Sequence, residues 1–252
     1  KQGKDLEEVK AARAKATGHY YRLMMDHVKS VLKDIERVYP DYDEKQGYEL
    51  AGFVWFQGWN DMVDGGTYPN RGQPGSYDAY SEVLTHFIRD VRKDLDAPNL
   101  PFVIGVMGAG GPVAAEPNEK PPSSSMPQTF GDATAAPRKR PEYKGNVAAV
   151  QTEKYWDMPL EALKQREKKF KAKKDELNQA MKDGKLTRTE GAAAIEKLYN
   201  EEFSERELIL LRESTSNAEY HYLGSAKIMA QIGKGFAEAM DKLMEKQEGR
   251  YG

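Results

Sequence analysis

The sequence predicts an α/β fold: three layers, with a thin parallel sheet between flanking helices and a charged helical hairpin inserted late in the chain. Three observations carry this. Short apolar runs at about residues 49–57, 100–107 and 146–152 each end in glycine or polar residues, as buried strands do. An amphipathic stretch lies between the first two runs and a long connection between the second and third, an order that goes with parallel pairing. From Pro159 the composition turns to charged residues at helical spacing. The expected organisation is a partial α/β domain over residues 1–158, a helical insertion over 159–213, and a return to the α/β domain over 214–252.

Bulk composition narrows the function classes. The chain has 252 residues, 31% of them charged, and a formal net charge of -2. That balance points to neither nucleic acid nor an anionic membrane as partner. No apolar run approaches the ~20 residues of a membrane helix. With no cysteine, disulfides, thiolate chemistry and cysteine metal sites are excluded. No cofactor or metal motif is read. Residues 1–15 form a charged helical segment with no apolar signal-peptide core, and the chain is expected to begin inside a longer protein.

In chain order, residues 5–37 read as one helix, interruptible at Gly18, with Tyr20, Leu23, Met24, His27, Val28, Val31, Leu32 and Ile35 on one face. His27 on that stripe reads as a packed core histidine. Tyr39-Pro40 ends the helix, since the residue before proline avoids helical angles. The run Glu49-Leu50-Ala51-Gly52-Phe53-Val54-Trp55-Phe56 then reads as a strand that breaks at Gly58. Gln57, Asn60 and Asp61 stand just beyond it, where ligands bind in open α/β sheets; the alternative is a plain polar turn. Residues 65–75 are dense in turn formers. A helix over 76–95 turns Tyr80, Val83, Leu84, Phe87, Ile88 and Val91 inward, with His86 at the surface.

The second strand ends in Gly108-Ala109-Gly110-Gly111-Pro112, which lacks dinucleotide-fingerprint spacing and has no helix pattern after it. Residues 112–146 read as an irregular crossing in which Ser123-Ser124-Ser125 are inert loop serines. In the insertion, Thr187-Arg188-Thr189-Glu190 and Ser204-Glu205-Arg206-Glu207 are capping boxes that start helices. Asp183-Gly184 is a turn without the alternating acidic ligands of a calcium loop. The insertion reads as a hairpin packed on its own domain, or alternatively as an interaction module. A last helix over 224–246 carries Ile228, Met229, Ile232, Phe236, Met240 and Leu243.

His221 lies in a short turn ahead of that helix. A histidine so placed can act as general base, because its unperturbed pKa is near neutral; the alternative is an exposed loop histidine. Here the residues reach a resemblance. Gly58-Trp59-Asn60-Asp61 after a strand resembles the Gly-x-Asn-Asp block of the SGNH hydrolases, whose sheet is flavodoxin-like. Trp55-Phe56-Gln57-Gly58-Trp59-Asn60-Asp61 resembles the Trp-x-Gln-Gly-Glu-Ser-Asn/Asp block of their sialate O-acetylesterase-like branch, carbohydrate esterases of family six. His221-Tyr222-Leu223-Gly224 resembles the block that brings the catalytic histidine. The resemblance covers about residues 17–155 and 214–243.

The resemblance implies a serine esterase that removes acetyl groups from carbohydrates. It makes His221 the base and Asn60 an oxyanion donor. Gln57 and Gly58 shape the hole, Asp61 takes the block's variable final position, and Trp59 walls the pocket. It is compatible with an exported or periplasmic protein and leaves the compartment open. Three departures stand against it. No Gly-Gln-Ser-Asn nucleophile stretch occurs in the chain, Ala218 occupies the position three before the histidine where the family often has aspartate, and Trp59 replaces the family glutamate. Asn217, Glu219 or another residue is left to orient His221. The chain therefore reads as the C-terminal portion of an esterase, its sheet incomplete and its nucleophile block upstream. The competing reading is a non-catalytic carbohydrate-binding or structural relative.

Overall fold

The structure is a computed structural model that describes residues 5–112 and 125–248. The chain clusters into two compact units. One takes the residues up to Ala51 together with His86–Leu100, the other Gly52–Thr85 together with everything from Pro101 onward.

In the first unit the predicted single helix is two, α1 (Leu6–Ala16) and α2 (His19–Lys33), with Gly18 between them at φ +68°. That left-handed conformation is open to glycine at little cost, and it lets α2 take its own rotation. Its inward side lies about one residue on from the predicted stripe. Met25 is buried and Tyr21, Met24, Val28, Val31 and Leu32 are half-buried, which is still helical spacing. Tyr20, Leu23 and His27 turn outward, Tyr20 to 83% exposure. His27 is thus a surface histidine and not the packed core residue expected. Tyr21 ties α2 to the C-terminal half of α4 (Asp78–Asp94), donating its hydroxyl to Asp94 at 2.8 Å and meeting the Phe87 ring edge-on.

The second unit holds the sheet. Strands β1 (Phe53–Trp55), β2 (Phe102–Val106) and β3 (Val147–Gln151) pair in parallel in the order β1-β2-β3, with Phe53 opposite Phe102 and Phe102 opposite Val147. Every residue of β2 is buried, as expected of a parallel strand covered on both faces. Alternate residues serve opposite faces. Val103 clusters with Val150 and with Leu243, Phe236 and Met240 of α10 (Ala226–Glu248). Val106 faces Gly131 of α5 (Met126–Ala135). Gly105 is glycine because the rings of Phe56 and Phe236 close over it; a Cβ there would lie 2.4 and 2.7 Å from them. Burying side chains the size of Phe102, Ile104 and Val106 stabilises the sheet by about 1.5–3 kcal/mol each.

Two readings between β1 and β2 are corrected. The polar turn after β1 is a short helix, α3 (Trp59–Val63), anchored by buried Met62, whose carbonyl accepts from the Tyr77 hydroxyl at 2.7 Å. In α4, Val83 is 66% exposed and Thr85 is buried in its place, its hydroxyl bonded back to the Ser81 carbonyl.

The crossing predicted to be irregular contains α5 and two 3-10 turns, Ala136–Lys139 and Pro141–Tyr143. Its proline and glycine read as breakers. Yet Pro127 sits in the first turn, where its missing N–H costs nothing, and Gly131 lets the helix approach β2. Ser125 caps α5 by accepting from the Gln128 amide, while Ser123 and Ser124 lie outside the described residues.

The predicted hairpin at 159–213 is four helices: α6 (Met158–Lys169), α7 (Lys171–Lys182), α8 (Arg188–Glu202) and α9 (Glu205–Glu213). They share a core of Leu163, Tyr199, Phe203 and Leu208, with Phe170 packed against it from the α6–α7 break. Both capping boxes form as read. Bonds from the Thr187 and Ser204 backbones hold the Glu190 and Glu207 carboxyls below the ordinary glutamate range. The segment is pinned at its entry, where Asp157 caps α6 and pairs with Lys227 of α10 at 2.8 Å. No helix among the described residues is long and apolar enough to cross a membrane.

Candidate active site

A pocket of about 530 Å³ opens beyond the carboxyl ends of β1 and β2. Its wall includes Gln57, Gly58, Trp59 and Asn60 from the end of β1 and the start of α3. Phe56 and Met107 line it from below, Tyr220, His221 and Tyr222 come from the turn before α10, and Met229 comes from α10 itself. Residues more than 150 positions apart in the chain therefore meet in one cavity, the two sequence blocks singled out above among them.

The β1 side is built on a glycine. Gly58 has φ +151°, ψ -8°, and a Cβ there would stand 2.6 Å from the Phe130 ring. Only glycine fits both the conformation and the space. The chain can then reverse directly from strand into α3, which puts Trp59 and Asn60 on the pocket wall.

Gln57 is committed elsewhere. Its Nε2 donates to Asp61 Oδ2 at 2.7 Å, and its Oε1 and main-chain carbonyl face the Tyr80 hydroxyl at 3.3 Å. An ionised carboxylate only accepts, so the bond to Asp61 fixes which end of the amide is nitrogen. Asp61, which is absent from the pocket wall, thus holds Gln57. Burial pushes the Tyr80 phenol well above its usual range, which keeps its donor proton in place. Asn60 differs. It is exposed to the pocket, and among the described residues its side chain makes no hydrogen bond.

The α10 side is a strained turn latched to the sheet. Residues Glu219–Gly224 form a distorted 3-10 turn in which Tyr222 (φ +52°), Leu223 (φ +60°) and Gly224 (φ +58°) are all left-handed. For tyrosine and leucine this costs about 1–2 kcal/mol each, and such strain persists only where the surroundings over-determine it. Here they do. Leu223 is buried at 1% exposure, and its carbonyl accepts from the amides of both Ser216 and Asn217 at 2.9 and 3.0 Å.

The Tyr222 hydroxyl accepts from the Gly108 amide at 2.8 Å and lies 2.8 Å from Thr152 Oγ1. Because Thr152 already donates to the Val106 carbonyl at 2.7 Å, Tyr222 is the donor to Thr152. Burial pushes the Tyr222 phenol upward, against smaller opposing pulls from Thr152 and Gly108, so it remains the protonated donor this chain of bonds requires. The turn is thereby tied to the ends of β2 and β3.

His221, one residue before this latch, is exposed. Its Nδ1 lies 3.0 Å from Asn217 Oδ1 and its ring stands edge-on to Tyr220, centroids 4.4 Å apart. Trp59 lies 5.8 Å from Tyr220, so three rings run in a row along the wall. Among the described residues, no cluster of three His, Asp or Glu side chains could hold a metal ion.

The sequence reading found Gln57, Gly58, Trp59, Asn60 and His221 and missed Phe56, Met107, Tyr220, Tyr222 and Met229 as wall residues. Met229 sat in the apolar stripe of the last helix, yet it is 45% exposed at the pocket. Tyr222 stood beside His221 in the block already noticed. Its hydroxyl has a partner 114 positions away, which local spacing does not reveal.

A family model described as carbohydrate esterase, sialic acid-specific acetylesterase, matches residues 3–135. That span contains the β1 block and ends before β3 and His221. No curated protein and no solved structure matches the chain.

Proposed function

The chain belongs to the sialic acid-specific acetylesterase family of carbohydrate esterases, and on that premise we propose that the pocket is the acyl-transfer site of a serine esterase acting on O-acetylated sugars. The observation that carries the reading is the juxtaposition of His221 with an Asn60 side chain left without a hydrogen bond among the described residues. An amide that braced the turn would be bonded to the backbone. One left available on a pocket wall suits a transition state that needs a donor.

The chemistry follows from these positions. A serine oxygen attacks the acetyl carbonyl while His221 takes the serine proton, forming a tetrahedral intermediate whose oxyanion Asn60 Nδ2 stabilises. Collapse breaks the ester bond, and His221 returns the proton to the departing sugar oxygen. Water then repeats the cycle on the acyl-serine and releases acetate. Gln57 and Asp61 hold the strand end in shape, and Trp59 and Tyr220 wall the sugar side. Among the described residues the pocket wall has no serine, threonine or cysteine, so the nucleophile is supplied from elsewhere. The helices of residues 159–213 stand outside this chemistry as an insertion.

The test is acetate release from acetylated mono- and oligosaccharides by the complete protein. The expected result is turnover that falls at least about a hundredfold in His221→Ala, the lower end for loss of a positioned base. That the wall has no serine, threonine or cysteine among the described residues favours a second reading, a non-catalytic sugar-binding relative. Binding of the same sugars with no acetate release would establish that one instead.

A further inference from the structure

Resting on the proposed function, we infer that Asn217 is the positioning residue for His221 and that a neutral amide, in place of a carboxylate, sets the tautomer of the base. The argument begins with which atom of the amide faces the ring. At ordinary precision the oxygen and nitrogen of an asparagine are interchangeable and must be assigned from their partners. Here the partner decides. The backbone N–H of Ala218 lies 2.7 Å from the same Asn217 atom that meets His221 Nδ1 at 3.0 Å. A backbone N–H only donates, so that atom is the oxygen.

An amide oxygen only accepts, so His221 Nδ1 carries the proton. In the neutral ring the other nitrogen, Nε2, then holds the lone pair. That is the arrangement a general base needs if Nε2 is the nitrogen that addresses the nucleophile. The amide is itself held. Asn217 N–H donates to the Leu223 carbonyl, and His221 N–H donates to the Ala218 carbonyl, each at 3.0 Å. The orienting oxygen and the ring are therefore fixed within one turn, whose far end is latched through Tyr222 to Gly108 and Thr152.

Position 218, three before the histidine, is alanine and carries no side-chain acceptor. The side-chain acceptor stands one residue earlier, at Asn217, and the left-handed residues Tyr222 to Gly224 follow the histidine. Glu219, the other candidate from sequence, makes no hydrogen bond to His221 among the described residues.

The experiment reads the ring directly by 15N NMR of the chain, with His221 signals identified by their loss in His221→Gln. The neutral ring of the parent is expected to carry its proton on Nδ1. Asn217→Ala should shift the tautomer ratio roughly 2- to 12-fold toward Nε2–H, the span that a net hydrogen bond supports. Asn217→Asp, which keeps an acceptor, should retain Nδ1–H. If Asn217→Ala fails to fold, the parent and Asn217→Asp spectra still decide. A parent ring protonated on Nε2, or a ratio unmoved by Asn217→Ala in a folded protein, would overturn the inference.

Because no substrate is involved, this outcome is independent of whether the protein proves to be an esterase. In the active enzyme, Asn217→Ala should lower kcat by up to that factor with KM unchanged, and Asn217→Asp should restore it.

Discussion

Asn60→Ala is expected to lower kcat about a hundred- to a thousandfold, roughly 3–4 kcal/mol of transition-state stabilisation, while KM changes little. The split follows from when the charge exists. The acetyl carbonyl is neutral in the bound ester and becomes an oxyanion only as the tetrahedral intermediate forms, so a donor aimed at it acts on the transition state and barely on substrate binding. Asn60→Asp should be at least as harmful, since a carboxylate repels the oxyanion. Both variants should melt close to the parent, because the side chain is exposed and makes no hydrogen bond among the described residues. Steady-state kinetics beside a thermal melt separate the two possibilities. A lowered melting temperature with near-normal kcat would mean that Asn60 braces the turn, and would remove it from the mechanism.

Gly108→Ala should cause the largest loss of stability among single substitutions near the site. A Cβ at Gly108 would lie 2.1 Å from the Glu153 backbone nitrogen and 2.3 Å from its Cα. These are main-chain atoms of the segment leaving β3, and they cannot rotate away as a side-chain tip could. Overpacking of this kind costs about 1–3 kcal/mol and sometimes more. Here the shift also carries off the amide that the Tyr222 hydroxyl accepts from.

Tyr222→Phe separates the two effects. It keeps the ring among Phe56, Trp156 and Leu223 and removes only the hydroxyl, leaving the buried Gly108 N–H unpaired at about 1–3 kcal/mol. Chemical denaturation should therefore rank Gly108→Ala as at least as destabilised as Tyr222→Phe, and both should lose catalysis together as the His221 turn loosens. A Tyr222→Phe protein as stable and as active as the parent would show that the latch is not what holds His221.

The sheet was legible because its strands are short apolar runs punctuated by glycine, a signal that lives within six or seven residues. All three strands and their parallel order were expected from it. The crossing was not. The helix Met126–Ala135 is rich in alanine, threonine and glycine, and its small residues answer to the strand beneath them more than to any periodic stripe. The same limit applies at the site. Gly58 and Asn60 stood out because motif and strand end coincide, and His221 because its block precedes the last helix. Tyr222 and the choice of Asn217 over Glu219 depend on a turn with three consecutive left-handed residues, and nothing in Tyr-Leu-Gly announces that tyrosine and leucine will adopt glycine's conformation. Long-range bonds to Gly108 and Thr152 impose it. On α2 the stripe was right in period: Met24, Val28, Val31 and Leu32 are half-buried as expected, while Tyr20, Leu23 and His27 turn outward.

The most direct measurement of the central claim is the rate at which a fluorophosphonate ester labels the complete protein, with the labelled residue mapped. An acyl-transfer site built on His221 and Asn60 predicts one labelled serine, its phosphonyl oxygen facing Asn60 Nδ2 in the structure of the adduct. It also predicts a labelling rate that falls at least about a hundredfold in His221→Ala. A label that forms equally fast without His221, or that sits on a residue away from this pocket, would contradict it.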